Sequence, residues 1–240
     1  MKKIIFGATS VAAAAVMAFA TAGPANADSV SGWTGPAGFS YLDNSTIINA
    51  PNLRAESKIW QTFGASAAPG SIGVRPRLFK SGVLCEARDY VYNTSPAVDL
   101  TVGTTATCGT GSYNSHGFVA VWNATNFNYD EYVTFPSNPL NWTAPPSAQA
   151  ATPQASPNKQ SGVNARGQSY GPAAQKKGEK DPQLALAQAT NGKVGYVRSS
   201  ELNGAKPANP AAASKKANGS RSIDVVSSDG TSVIGSFTIH

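Results

Sequence analysis

The sequence predicts a mainly β protein: a small antiparallel β-sandwich or barrel carrying one disulfide, then a flexible linker and a small α+β module. Three observations lead there. Short runs rich in β-branched and aromatic residues recur between Ser71 and Asn123, separated by Gly, Ser, Asn and Pro. The only two cysteines, Cys85 and Cys108, follow an export-type leader. Composition then changes abruptly at a stretch of Pro, Ala, Ser and Gln.

The leader occupies residues 1–27. Met1-Lys2-Lys3 is a short basic start, Ile4 to Ala22 is apolar and uncharged, and Ala25-Asn26-Ala27 supplies a small-x-small cleavage pattern. Maturation at Asp28 would release a secreted, extracellular chain, and no second long apolar segment follows that could span a membrane. In an oxidising compartment Cys85 and Cys108 read as one disulfide, worth about 3 kcal/mol by loop-closure entropy. Neither cysteine lies in a C-x-x-C arrangement, and two histidines are too few to complete a zinc site.

Four strand runs follow in order: "SIGVRPRLF", "VLCEARDYVYN", "AVDLTVGTTATC" and "GSYNSHGFVAVWN". In the last, Tyr113, Ser115, Gly117, Val119 and Val121 oppose Asn114, His116, Phe118, Ala120 and Trp122 with period two. The earlier "RAESKIWQTFG" is compatible with one helix ending at Gly64, confined by Pro51 and Pro69. These elements make an aromatic-rich β-domain over 28–143. Residues 144–162 read as a spacer whose composition cannot repay the entropy of ordering.

In the later module, 163–240, "DPQLALAQATNG" predicts a short helix with Asp181 as N-cap, Pro182 at its first position and Asn191-Gly192 as its stop. "KVGYVRSSEL" reads as a strand and turn. "SIDVVSSDGTSVIGSFTIH" reads as a hairpin turning at Asp229-Gly230, and terminal His240 is expected to fray. Formal charge follows the same division. Counting Lys and Arg against Asp and Glu gives 6 − 8 over residues 28–158 and 11 − 5 over 159–240.

"SIGVRPRLFKSGVLCEARDYVYN", "CGTGSYNSHGFVAVWN" and "TFPSNPLNW" resemble a family of secreted, uncharacterised actinobacterial proteins in which two cysteines and a YNSHG-like segment recur. "NGKVGYVRSSELNG" and the final hairpin are similar to a bacterial module with a GYVR-x-x-[DE]-L motif and a terminal DG hairpin. "GYVRSSEL" is also similar to the closing strand of bacterial SH3-like wall-binding domains. The resemblance implies an exported protein and carries no established activity.

Enzyme chemistry finds little footing in the residues. His116 would have to serve any Ser-His-Asp triad without a second internal histidine, and "GTGSYNS" is not a G-x-S-x-G elbow. The expectation is that His116 lies beside Phe118 and Trp122 on one sheet face, bonded to Asp89 or Ser115. Asp130 and Glu131 are adjacent on a strand and so face apart, unlike a glycosidase pair. No cofactor is implied.

Binding is the better reading. Trp122, Tyr129 and Tyr132, together with Trp33, Trp60 and Trp142, offer flat apolar rings to a glycan or cell-envelope polymer, while the same rings are candidates for a core. His116 and Arg198 are secondary candidates. The basic module suits an anionic surface polymer, and nucleic acid is excluded for want of a recognisable motif. A bacteriocin-like toxin or protein inhibitor is the alternative, an extracellular hydrolase the least supported. Oligomeric state is left open.

Overall fold

The structure, a computed structural model, describes residues 26–27, 32–36, 40–145, 161–174 and 179–240; most of the leader (1–25) and of the spacer (146–160) lies outside the described residues. The earlier part contributes β1 (Asn26–Ala27), β2 (Gly32–Thr34), β3 (Tyr41–Ile48), β4 (Arg54–Gln61), β5 (Ile72–Arg75), β6 (Arg77–Lys80) and β7 (Val83–Ala87). It continues with β8 (Val91–Tyr92), β9 (Asp99–Gly103), β10 (Gly111–Ser115), β11 (Phe118–Asn123), β12 (Asn128–Val133) and β13 (Leu140–Trp142).

A sandwich forms where the sheet β1-β3-β4-β9, with β2 added on β3, faces the sheet β12-β11-β5-β8. The facing sides interlock Tyr41, Ile59 and Val102 of one sheet with Ile72, Val74, Val119 and Val121 of the other. "RAESKIWQ" is therefore a strand, not the helix its composition allowed. Ala55, Ser57 and Ile59 alternate inward, and all eight residues of β4 pair with β3, so the chain satisfies its backbone across the sheet rather than along a helix. Inward Ser45 and Ser57 stay paired in this core by a 2.9 Å hydrogen bond between their hydroxyls.

The later part supplies β14 (Gly162–Val163), β15 (Ser169–Gly171), β16 (Leu184–Gln188), β17 (Val194–Arg198), the single helical turns α1 (Ser199–Asn203) and α2 (Pro210–Ala213), then β18 (Arg221–Val226) and β19 (Val233–Ile239). These strands continue the sheet begun by β13-β10-β6-β7, in the order β7-β19-β18-β17-β16. A further pairing of β16 with β7 brings the row back on itself as a small barrel-like ring. β7, from the middle of the earlier part, is thus one stave of the later part's ring. Phe79, Leu84, Ala87, Ala185, Ala187, Val225, Phe237 and Ile239 belong to one buried cluster there.

The expected helix over "DPQLALAQATNG" is replaced by β16. Leu184, Ala185, Leu186 and Ala187 are all buried, as in a strand covered on both faces, and β15, β17 and β7 take up its backbone groups. Alanine's helix preference is worth a few tenths of a kcal/mol per residue, far less than that pairing. The DG hairpin forms as expected between β18 and β19. His240 does not fray: its N–H donates to the Ala87 carbonyl at 3.3 Å and its own carbonyl accepts from Asp89 N–H at 3.2 Å. The helical turn α2, capped by Asn209 accepting from Ala212 N–H at 2.9 Å, sets Ala213 among the buried Tyr90, Tyr92 and Phe118. Gly70 (φ +74°) allows this approach, since a Cβ there would meet the Pro210 carbonyl oxygen at 2.0 Å.

One covalent and one ionic tie fasten the ring to the strands and loops around it. The Cys85–Cys108 disulfide joins β7 to the loop entering β10, with Cα atoms 5.9 Å apart. Inside, the guanidinium of fully buried Arg77 donates to both carboxylate oxygens of Asp181, at 3.0 and 2.6 Å. Asn203 Oδ1 accepts from Arg75 at 2.5 Å and from Arg77 at 3.1 Å. Burial alone would raise the Asp181 carboxyl; the Arg77 charge and hydrogen bonds from Arg77 and Ala174 outweigh it and bring it down to about 2. Asp181, expected as a helix cap, is the ring's anchor instead.

Asp181→Ala leaves the Arg77 guanidinium buried and unpaired, so urea unfolding should show a loss of about 3–5 kcal/mol. Replacing both partners, as Arg77→Met with Asp181→Leu, should recover most of that loss.

Candidate functional site

Alternation along β3 and β4 decides which side chains face outward. With Tyr41, Asp43, Ser45 and Ile47 turned in, and Ala55, Ser57 and Ile59 turned in beside them, Leu42, Asn44, Lys58 and Trp60 are left on the outer face. Cross-strand register lines them up: Leu42 stands opposite Trp60 and Trp60 opposite Asp99, while Asn44 stands opposite Lys58. Trp33 of β2 holds the register position beyond Leu42. Half-exposed Trp60 lines an open hollow of about 350 Å³ with Asn44, Lys58, Gln61, Val98 and Asp99. Lys58 Nζ lies 2.9 Å from Asp99 Oδ2 and 5.7 Å from the centre of the Trp60 ring.

A second hollow of about 350 Å³ lies at the end of the sandwich, lined by Tyr41, Gln61, Ser66, Ser71, Trp122 and Asn123 among others. Gln61 borders both. Trp122 is held edge-on against Tyr129, ring centres 5.1 Å apart, and its backbone N–H donates to the Ser71 carbonyl at 2.9 Å. Asn123 is fixed at the rim: its Oδ1 accepts from Thr125 N–H at 3.0 Å and its Nδ2 donates to Asp130 at 2.8 Å.

Of the rings singled out from the sequence, Trp122 and Tyr129 come together and Tyr132 does not. Trp122 pairs with Tyr129, whereas Tyr132 pairs with Val119 on the opposite face and packs towards the sandwich core. Tyr129 is itself buried, its hydroxyl donating to the Gly70 carbonyl at 2.6 Å. It supports Trp122 and offers no ring to solvent. Trp142 packs edge-on to Tyr113. Arg198 lines neither hollow; its guanidinium donates to the Gly230 carbonyl at 3.3 Å and meets Glu201 at 3.5 Å. Elsewhere in the basic module, Arg221 forks onto Asp89 and Lys206 pairs with Glu131, so several of its cations are spent on internal contacts.

His116 departs furthest from expectation. It occupies the bend between β10 and β11 with no exposed surface, stacked on Phe79 at 3.8 Å and 11°. Neither Asp89 nor Ser115 satisfies it: both ring nitrogens lack a hydrogen-bond partner among the described residues. Burial, reinforced by the Arg77 charge and only partly opposed by Asp181, pushes its pKa down to about 3. The imidazole is thus held neutral and buried, stacked on Phe79. Among the described residues no three of His, Cys, Asp and Glu group as a metal ion would require.

Sequence reasoning overlooked Asn44, Lys58, Gln61 and Asp99. The usable signal was the alternation in "RAESKIWQ", which read as a strand puts Lys58 and Trp60 on one face. No helix among the described residues is long and apolar enough to cross a membrane. Compared with family models, curated proteins and solved structures, the chain matches none.

Because the folded pKa of His116 lies below its unfolded value near 6.5, the unfolded chain binds the extra proton. Stability is therefore lost as pH falls from about 6.5 to about 3. His116→Phe should raise stability at neutral pH by about 1–2 kcal/mol, removing two unsatisfied nitrogens while keeping the stack, and should move the acid-unfolding midpoint to lower pH in a circular-dichroism titration.

Proposed function

We propose that this is an exported, non-enzymatic protein that binds glycan chains of the cell envelope or of extracellular polymers, using the outer sandwich face around Trp60. The supporting observation is an aromatic ring standing open between an amide, an ion pair and a second amide: Asn44, Lys58 with Asp99, and Gln61. A pyranose has an apolar C–H face and a hydroxyl edge. Such a ring takes the first, and such polar groups donate to or accept from the second. Rigid strands fix all of these groups, which limits the ordering cost on binding.

Export is read from the basic start, the apolar run and the Ala25-Asn26-Ala27 pattern, and the disulfide agrees with an oxidising destination. Mass spectrometry of protein from culture medium should give a mature chain beginning at Asp28.

Trp60→Ala removes an outward ring and little core, so the melting temperature should change by no more than a few degrees. Retention on chitin, cellulose or isolated cell wall should fall at least tenfold, about 1.4 kcal/mol. Equal retention of the variant and the parent protein would defeat the reading, as would release of soluble sugars by the parent.

A further inference from the structure

Two phenylalanines stand where folding gives them no reason to be. Phe63, in the turn after β4, is fully exposed, and Phe127, in the turn between β11 and β12, is 78% exposed. Both have left-handed backbone, φ +64° and +51°, and they account for two of the three non-glycine residues with positive φ among the described residues. A large side chain is disfavoured there, and glycine or asparagine would be the ordinary choice. The surrounding turns are pinned by other groups: Thr62 N–H and Oγ1 both donate to the Ser40 carbonyl, and Asn123 Oδ1 accepts from Thr125 and Asn126 N–H. Strain and solvent exposure of an aromatic ring thus coincide twice, both times within two residues along the chain of one that lines a hollow. Phe63 lies between Gln61 and Gly64, which line the Trp60 hollow, and just before Ser66, which lines the Trp122 hollow. Phe127 follows two residues after Thr125 on the rim of the second.

We infer that the two hollows, joined at Gln61, form one extended groove for an uncharged linear polysaccharide of equatorially linked pyranoses, with Phe63 and Phe127 as additional stacking platforms on its rim. This rests on the glycan reading above and names its ligand class. Equatorial linkage makes a flat ribbon that repeats an apolar C–H face along its length, which suits successive rings; axial linkage coils the chain and hides those faces. Among the described residues the only charged side chains lining the hollows, Lys58 and Asp99, neutralise each other, which favours an uncharged polymer. Ser66, Ser71, Asn123 and Thr125 interrupt the apolar rings with hydroxyls and an amide. That pattern fits a sugar chain better than the contiguous apolar centre of a protein interface.

The test is calorimetric titration of the mature chain with cello- and N-acetyl-chito-oligosaccharides of two, four and six units. Affinity should rise at least tenfold from the dimer to the hexamer in at least one series. Phe63→Gly with Phe127→Gly should weaken the hexamer at least fivefold and leave the dimer unchanged. The melting temperature of this variant should hold or rise, because glycine accepts positive φ; weaker binding then cannot be ascribed to unfolding. Equal affinity for dimer and hexamer, or a hexamer indifferent to the double change while Trp60→Ala still abolishes binding, overturns the groove and leaves the simpler glycan reading standing. Absence of binding to either series and to the insoluble polysaccharides by the parent protein defeats both. Co-sedimentation of the parent, but not the double variant, with phosphatidylcholine vesicles assigns the rings to lipid and also overturns the groove.

Discussion

The fork between Arg77 and Asp181 is the constraint on which the arrangement turns. A guanidinium without exposed surface has given up its hydration, a loss of several kcal/mol that only close and well-aligned partners offset. Asp181 brings both oxygens, Asn203 a carbonyl, and the Phe118 ring lies 4.4 Å from the Arg75 guanidinium carbon and 4.5 Å from that of Arg77. Arginine and carboxylate are 104 residues apart, on opposite sides of the spacer. Neither part satisfies its own buried charge, so each completes the other. β7 repeats the dependence in backbone terms, being bonded to β6 of its own part and to β16 and β19 of the other.

This coupling separates the polar interior from the outer face of the sandwich. Arg75, Asp181 and His116 have perturbed titration, and all three are shut away beside the buried Arg77 guanidinium. Perturbed titration is a common mark of active sites, yet here it accompanies structural burial. The groups that meet solvent, Trp60, Gln61 and Trp122, sit on the outer sheet face and at the end of the sandwich, where hydrogen-bonded strands and the Tyr129 buttress keep them in place. A rigid, preformed surface is what the proposed glycan binding calls for.

Local pattern carried much of this. The strand character of "FVAVWN" and the DG turn near the end depend on neighbours a few residues away, and they appear as read, whereas "GSYNSHGFVAVWN" is not one strand: it bends at His116 and its halves join different sheets. Pairing of Cys85 with Cys108 needs only an oxidising destination and the absence of competitors. Misreadings arose where partners are distant. "LALAQ" has the composition of a helix, but a ring interior that must fit Phe79 and Phe237 takes small side chains on a strand. The expected polar neighbours of His116, Asp89 or Ser115, give way in the fold to the Phe79 ring.

The amino-acid sequence by itself determined the β character, the sulfur link, the compositional break and the supply of aromatic rings, because each is written in short windows of residue type and spacing. Tertiary structure alone decided that the two parts share a strand and a buried ion pair, that Tyr129 supports while Trp60 is displayed, and that Tyr132 turns away from both. Those outcomes depend on strand register and on which faces are covered, and a one-residue slip in register would have exchanged every inward and outward side chain.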